Sequence, residues 1–381
     1  MKSKLIAAML AALSIGCSLP AAADITVGIT VSATGNGSPL GQPQKNTVPL
    51  LPAIIAGEKV KYIVLDDASD PTQASKNARK LTAEDKVDVL IGSSITPNTV
   101  PVMGIALETK TPLLALTPHD LEGERMAWTF CFPQHIALMS RAIAEHAVAQ
   151  GYKTLGVFAQ SDPYGEVYLR EITRYAEPLG IKIVGVERFS RSDTSATPQA
   201  LKLNMVKPDA VLIVGGAGAA SMAHLGLAER GYRGQIYHTH GAANRDVLRI
   251  GGKAMEGAIF VAGPVLAWNQ LPDSYASKPA ATEYVKRYEE LYGANSMAPQ
   301  GAHMWDAIQV LKQAVPVALK KAKPGTVEFR QALRDAIESE KNVLVAHGTI
   351  NYSPTDHFGH DARARVLMRV ENGAFKLLAG R

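Results

Sequence analysis

A glycine cluster follows a strongly apolar run in the stretch VLIVGGAGAASM, residues 211–222. Glycines directly before a helix let backbone N–H groups approach a phosphate, which is how dinucleotide-binding turns work. That fingerprint is Gly-x-Gly-x-x-Gly, with an acidic residue about 20 positions further on. Gly216 and Gly218 fit, but Ser221 takes the third place and the next strand, residues 235–240, ends without an acid. The partial match indicates a general strand–turn–helix ligand site, with a dinucleotide-dependent enzyme as an alternative.

Hydroxyl, amide and imidazole side chains crowd the other loops that follow apolar runs. The loops are SATGNGSP, SSITPNT, LTPHDLEG, SDPYGE and HTHGAAN, at residues 32–39, 93–99, 116–123, 161–166 and 238–244. Neutral hydrogen-bonding groups and helix starts of this kind can hold a small polar or anionic ligand.

Sequence signatures of common enzymes are absent. There is no Gly-x-Ser-x-Gly, His-Glu-x-x-His or Walker motif, and Glu166 has no evident partner acid or nucleophile. His238 and His240 could begin a metal site, but no matching third ligand is evident. We therefore expect no catalytic residue, no metal and no cofactor.

The N-terminal stretch MKSKLIAAMLAALSIGCSLPAAAD (1–24) has the features of a secretory signal peptide. Basic residues precede an apolar core that is too short for a membrane span, and small residues precede a cleavage site near Ala23. The sequence thus predicts a periplasmic protein. A lipid anchor at Cys17 is the less favoured alternative, because Ser14 stands where such sites prefer leucine.

Charge and cysteine content exclude several protein classes. The net charge of +5 falls to +3 once Lys2 and Lys4 are removed, and the charges are interspersed rather than clustered. Nucleic acid is therefore not an expected partner. The mature chain keeps Cys131 alone and can form no internal disulfide. Stability must come from a core, and the length suffices for two domains; we expect a monomer.

Apolar strands alternate with amphipathic helices from residue 24 to about 262, which predicts an α/β fold with parallel sheets. The first run has strands at 25–30, 59–67, 87–92 and 111–116 and helices at 74–85 and 99–110. The second run has strands at 154–160, 181–189, 210–216, 235–240 and 257–263 and helices at 136–150, 165–179, 197–206 and 219–230. Helices at 280–292, 301–319 and 326–339 and a hairpin turned at 371–373 follow. Two doubly wound lobes would bring the carboxyl ends of their strands together around a ligand.

The block VKYIVLDDASDPTQASKNARKLTAEDKVDVLIG (60–92) resembles the periplasmic solute-binding proteins of ABC importers of the branched-chain amino acid type. SDPYGE and the order of the elements are similar too, and the resemblance covers essentially the whole mature chain. It implies two doubly wound parallel-sheet lobes joined by a hinge that the chain crosses three times, the type I fold. The lobes implied are 24–138 with 264–345, and 139–263 with 346–381.

The resemblance also implies positions for ligand contacts. The family's hydroxyl that takes the ligand carboxylate falls on Thr96, with Ser94 nearby. The neighbouring carboxylate-binding loop corresponds to Thr117 through His119, and the lid tyrosine of the second lobe corresponds to Tyr164.

The chain departs from the family where amino-acid binders clamp the ammonium group. The acid expected there corresponds to Ala220, and the loop 215–221, with Gly216 at the end of its strand, carries no charge. Asp120 and Asp162 are the nearby acids. An ammonium group left unpaired in a closed cleft would be costly to desolvate, so a carboxylate without an amine fits better. Gly216, which has no side chain, would leave room for the rest of that ligand.

Some members of the family take up aromatic acids, and we expect a small carboxylate such as a benzoate or a phenylpropanoid. His119, His238, His240 and Tyr164 would address its ring substituents, and His303 could face the cleft. The partner implied is an ABC permease in the inner membrane. The alternatives are an amino-acid or amide binder of the same fold and a ligand-sensing domain of a receptor.

Overall fold

The computed structural model describes residues 24–120 and 123–378. The predicted signal peptide, its cleavage point near Ala23 and Cys17 lie outside these residues. No helix in the described part of the chain is long and apolar enough to cross a membrane. Parallel sheets flanked by helices confirm the predicted α/β class.

The first sheet is built from the N-terminal third of the chain. Its strands are β1 (Ile25–Val31), β2 (Ile54–Ile55), β3 (Glu58–Asp66), β4 (Val89–Gly92), β5 (Leu113–Ala115) and β6 (Thr129–Cys131). Their spatial order is β2–β3–β1–β4–β5–β6, and the neighbours run parallel except at β2. The connecting helices are α1 (Ser38–Thr47), α2 (Pro71–Arg79) and α3 (Thr96–Thr109).

The second sheet repeats this arrangement and adds an antiparallel hairpin at one edge. Its strands are β7 (Thr154–Gln160), β8 (Lys182–Phe189), β9 (Ala210–Val214), β10 (Gln235–His238), β11 (Ile259–Ala262), β14 (Val366–Glu371) and β15 (Ala374–Leu377). Their order is β15–β14–β11–β10–β9–β7–β8. The helices are α4 (Ile136–Ala149), α5 (Pro163–Ala176), α6 (Thr197–Val206), α7 (Ala217–Glu229) and α8 (Arg245–Gly251).

The remaining elements belong to the core of the first sheet. They are α9 (Lys278–Tyr292), α10 (Pro299–Ala318), α11 (Val327–Ser339) and the short pair β12 (Val343–Val345) and β13 (Gly348–Ile350). Their buried side chains, Trp305 among them, join those of β1 and β4 in a single hydrophobic cluster. Helices distant in sequence therefore complete the first half of the molecule.

Local chemistry explains where several elements begin and turn. Asp70 accepts a hydrogen bond from Gln73 N–H at 2.7 Å, and Asp162 accepts one from Gly165 N–H at 3.0 Å. Each aspartate caps a helix whose first residue is proline, where the missing N–H costs nothing. The β14–β15 hairpin turns at Asn-Gly, residues 372–373, with φ of 53° and 70°, as this dipeptide predicts.

The division into two lobes stays a prediction. The contacts of residues 346–360 concern its third boundary, which the resemblance places between residues 345 and 346. The Tyr352 hydroxyl donates to Cys131 O at 3.0 Å, and His357 Nδ1 lies 2.9 Å from Thr129 O. These bonds hold the segment against β6 of the first sheet. We propose that the third crossing follows His360 rather than residue 345.

Candidate functional site

A cavity lies between the carboxyl ends of the two sheets. The space between its walls, including the solvent region at its open mouth, is about 450 Å³. Its wall is formed by Leu40, Gln44, Ser94, Ile95, Thr96, Leu116, Thr117, Pro118, Pro133, Tyr164, Arg191, Gly216, His240, Gly241, Gln300 and His303. No Asp or Glu is among these lining residues of the described chain. Most of them directly follow the end of a strand, as expected for open parallel sheets.

Two threonines form one wall on the side of the first sheet. Thr96 Oγ1 donates to Pro118 O at 2.9 Å and lies 2.9 Å from Thr117 Oγ1. Because the Thr96 proton is used by the carbonyl, Thr117 donates its own proton to Thr96 Oγ1 in this arrangement and would turn it to an anion that binds beside it. Thr96 thus positions Thr117, whose own contact to Pro118 O is long at 3.5 Å.

The start of helix α3 adds a positive partial charge to this wall. Ile95 at its N-cap makes no side-chain hydrogen bond, and no acid lies in the first turn. Pro97 has no N–H, and the N–H groups of Asn98 and Thr99 bond to Ile95 O at 3.1 Å, so the helix dipole and the Thr96 N–H are what this start offers to an anion. Ile95 and Thr96 both line the cavity, so this end of α3 faces any bound ligand.

Ser94 orients a glutamine rather than facing a ligand with a free proton. Its hydroxyl donates to Gln44 Oε1 at 2.6 Å and accepts from Ser32 N–H at 2.9 Å. With its oxygen engaged, Gln44 is left with its NH₂ group to donate into the cavity that it lines.

A buried carboxylate supports this side from behind. Asp67 is 0% exposed and accepts hydrogen bonds from Ser32 Oγ at 2.7 Å, Ser93 Oγ at 2.6 Å and Asn98 Nδ2 at 2.8 Å. Buried charges are stable when several donors satisfy them. Asp67 therefore ties the loops after β1, β3 and β4 together and fixes the start of α3.

Tyr164 contributes its ring to the wall on the side of the second sheet. Its hydroxyl donates to Thr239 Oγ1 at 2.9 Å, so the polar tip is already paired. Burial raises the pKa of Tyr164, which keeps the phenol neutral. The ring thus offers an apolar surface to a ligand.

Arg191 places a cation in the cavity. Its side chain is 13% exposed, and Nη2 donates to Gln160 Oε1 at 3.2 Å and to Asp162 Oδ2 at 3.3 Å. A methyl group on Gly216 would lie 3.0 Å from Nη1, so this second nitrogen borders the cavity wall. Since both bonds use Nη2, Nη1 remains as a donor for an anion.

Histidine and glutamine side chains form the inner end of the cavity. His240 Nδ1 lies 2.7 Å from the Tyr168 hydroxyl, and Gln300 Nε2 donates to His240 O at 3.4 Å. Burial, and then the charge of His347, lower the pKa of His240 to about 3. The ring is therefore neutral at physiological pH. Burial likewise holds the pKa of His303 well below its usual value.

Gly216 and Ala220 lie in different surroundings. Gly216 is the N-cap of α7 and lines the cavity, where its N–H donates to Gln160 Oε1 at 3.0 Å. Ala220 is buried in the hydrophobic core of the second sheet and does not line the cavity.

His119 and His238 lie away from the cavity wall. His119 Nδ1 donates to Thr117 O at 2.8 Å, and burial lowers the pKa of His119 to about 4. His238 stacks on Phe260, with centroids 4.4 Å apart, and contacts His224 at 2.9 Å. Among the described residues, no three His, Cys, Asp or Glu side chains are grouped to hold a metal ion.

The cavity brings together most of the residues singled out from the sequence. Those that line it are Ser94, Thr96, Thr117, Tyr164, Gly216, His240 and His303, whereas His119 does not. Their roles in ligand binding stay predictions. Arg191, Gln44 and Gln300 were missed. Arg191 follows the end of β8, and applying the strand-end rule to that loop would have found it.

Comparisons with known proteins give a consistent result. The family described as periplasmic binding protein matches residues 24–374. A Leu/Ile/Val-binding protein homolog of Brucella melitensis is 23% identical over 368 residues, covering 93% of this chain and 94% of its own. An extracellular ligand-binding receptor from Rhodopseudomonas palustris HaA2 is 42% identical with a TM-score of 0.92, covering 93% of this chain and 100% of its own. A solute-binding protein of an ABC transporter from Rhodopseudomonas palustris BisB5, in complex with 3,4-dihydroxybenzoic acid, has a TM-score of 0.78 at 21% identity, covering 92% and 95%.

Proposed function

The chain belongs to the periplasmic binding protein family, and we propose that it binds an aromatic carboxylate and delivers it to the permease of an ABC importer. Proteins of this family are solute-binding proteins rather than enzymes. The observation that carries the ligand class is the Arg191 guanidinium beside an uncapped helix start, in a cavity that no acidic side chain lines.

Four kinds of donor are available to the carboxylate. They are Nη1 of Arg191, the hydroxyl of Thr117, the amide of Gln44 and the start of α3. Charge-assisted hydrogen bonds contribute about 1.5–3 kcal/mol each. Three of them would supply much of the roughly 8 kcal/mol of a micromolar complex, before ordering costs are subtracted.

The cavity suits an apolar ring. The apolar lining of the cavity consists of Leu40, Ile95, Leu116, Pro118, Pro133 and the ring of Tyr164. Burying apolar ligand surface against them contributes about 25 cal/mol per Å². The fold that holds 3,4-dihydroxybenzoic acid in the Rhodopseudomonas protein supports aromatic acids as ligands for a cleft of this architecture.

A branched-chain amino acid is the second candidate, because the Brucella relative is described as Leu/Ile/Val-binding. Asp162 would have to receive its ammonium group. That carboxylate already accepts hydrogen bonds from Gly165 N–H and from Arg191. Without another acid in the wall, the ammonium group would lose more solvation than it recovers, so the aromatic acid is favoured.

Ligand binding would be coupled to closure of the two halves. Asp120 of the first half receives two hydrogen bonds from Arg170 of the second, at 2.7 and 3.0 Å. A ligand that bridges Thr117 and Arg191 stabilises this closed arrangement by as much as its affinity for the closed form exceeds its affinity for the open form. The permease would then recognise the closed outer surfaces.

A thermal-shift screen of the mature chain tests the ligand class. The panel contains benzoate, 4-hydroxybenzoate, cinnamate, 4-hydroxycinnamate, a branched keto acid and leucine. A ligand at 100 times its Kd stabilises the fold by about 2.7 kcal/mol, which raises Tm by several degrees. We expect aromatic acids to produce the shift. If leucine-like compounds alone raise Tm, the proposal is wrong.

A further inference from the structure

Three polar atoms at the inner end of the cavity have no partner. They are His240 Nε2, Gln300 Oε1 and His303 Nδ1, each buried and without a hydrogen bond to any described residue. All three side chains line the cavity. A buried polar group left unpaired costs about 1–3 kcal/mol. These atoms therefore call for a polar group on the ligand.

The Tyr168 hydroxyl determines which proton His240 presents. Tyr168 is fully buried, and its hydroxyl lies 2.7 Å from His240 Nδ1. Because a buried hydroxyl needs an acceptor, Tyr168 donates to Nδ1. The neutral imidazole then carries its proton on Nε2, which points into the cavity as a donor.

Gln300 supplies the complementary acceptor. Its Nε2 donates to His240 O at 3.4 Å, which orients the amide and leaves Oε1 free. Gln300 and His303 lie one turn apart near the start of α10, so both side chains project from the same face. A donor and an acceptor are thus held close together at this end.

This end is distinct from the anion-binding end. Arg191 also lines a second pocket, together with Pro97 and Asp162, whereas Gln300 and His303 do not. The His303 ring stacks on His347 at 4.2 Å, next to the chain crossing after β11. A ligand that spans the cavity would contact both ends.

We propose that the inner end is a hydroxyl subsite, in which a ring hydroxyl of the ligand donates to Gln300 Oε1 and accepts from His240 Nε2. The inference rests on the proposed function, since it takes an aromatic carboxylate as the ligand. A methoxy group can accept but cannot donate, and an unsubstituted ring can do neither. The chain therefore selects hydroxylated aromatic acids.

The charge state of the subsite excludes a second anion. His240 and His303 are neutral, and no cationic side chain besides Arg191 is among the lining residues of the described chain. A second carboxylate at the inner end would be desolvated without a counter-charge. We therefore expect aromatic dicarboxylates such as terephthalate to bind weakly.

Calorimetry on the mature chain with matched ligands tests the subsite. The first set is 4-hydroxycinnamate, 4-methoxycinnamate and cinnamate. The second set is the three corresponding benzoates, and both are used because the cavity does not determine the length of the ligand. In the set that binds more tightly, we expect the Kd of the hydroxylated acid to be at least 10-fold lower than the Kd of the methoxy acid and of the unsubstituted acid. Gln300→Leu should bring that ratio close to 1. Gln313→Leu, an exposed position on the same helix, should leave it unchanged.

The Tyr168→Phe variant tests whether Tyr168 acts by fixing the tautomer of His240 or by a general effect on the structure. Loss of the hydroxyl frees the His240 tautomer, so the preference for hydroxylated acid should fall while the affinity for the unsubstituted acid stays the same. Equal affinities of the wild-type chain within both sets would overturn the subsite but leave the carboxylate proposal standing. Failure of every aromatic acid to bind would overturn both. If Gln300→Leu does not fold, the wild-type ratio decides.

Discussion

Replacing Arg191 with glutamine should weaken binding of the aromatic carboxylate strongly. The substitution removes the positive charge from the cavity wall and retains a side chain that can donate to Gln160 or Asp162. Because Arg191 is 13% exposed, little solvent screens its interaction with a bound anion.

The size of the effect follows from the bond that is lost. A hydrogen bond between guanidinium and carboxylate contributes about 1.5–3 kcal/mol, which corresponds to roughly 10-fold to 150-fold in Kd. The upper part of this range is expected, because Asp162 loses its ionic partner and then repels the ligand. Asp162 itself stays fixed by the Gly165 N–H at 3.0 Å.

Isothermal titration with 4-hydroxycinnamate or 4-hydroxybenzoate measures the change. Arg188→Gln is the matched control, because Arg188 lies near the end of β8, three residues before Arg191, but pairs with Glu166 at 2.7 Å and is 45% exposed. That control should bind like the wild-type chain. An Arg191→Gln variant that keeps its Kd within threefold would refute the assignment of Arg191 as the anion-binding cation.

Three further predictions concern the hydroxyl wall, closure and acid stability. Thr117→Val should raise Kd by about 3-fold to 10-fold, the equivalent of one hydrogen bond of about 0.5–1.5 kcal/mol, and an unchanged Kd in calorimetry would exclude the hydroxyl from ligand contact. Arg170→Ala removes the exposed salt bridge to Asp120, which contributes about 0–1 kcal/mol. The ligand-induced decrease in radius of gyration, measured by small-angle scattering, should therefore need at most about 5-fold more ligand. A variant that no longer becomes more compact with ligand would contradict this. Burial holds the pKa of His119 at about 4 and that of His240 at about 3, so both stay neutral when folded but take up protons when unfolded below about pH 6.5. Stability should therefore fall from pH 6.5 towards pH 4, by about 1 kcal/mol per histidine over the first unit and more steeply below it; denaturant titrations at pH 7 and pH 5 that give equal unfolding free energies would disprove it.

Features set by neighbouring residues could be predicted from the sequence. The alternation of apolar strands and helices gave the α/β class, and the Asn-Gly pair at 372–373 gave the terminal hairpin. The helix predicted at 165–179 is α5, which begins two residues earlier, at Pro163. The loops at strand ends gave most of the cavity wall, because parallel sheets collect their carboxyl ends at one edge.

Features set by long-range packing were missed or misjudged. His238 and His240 stand where the sequence could begin a metal site, but β10 ends at His238 and the chain turns, so the two rings separate. The strand-end rule points to the loop that carries Arg191, but the inward direction of its side chain depends on distant Gln160 and Asp162. Gln300 reaches the cavity because α10 packs across the end of the cleft, which no local pattern encodes.

A crystal structure of the mature chain with bound 4-hydroxycinnamate or 4-hydroxybenzoate tests the central claim most directly. We predict the ligand carboxylate within hydrogen-bond distance of Arg191 Nη1 and Thr117 Oγ1, with the ring between the two sheets. A ligand whose anion lies away from both groups, or a co-purified amino acid whose ammonium group pairs with Asp162, would contradict the account.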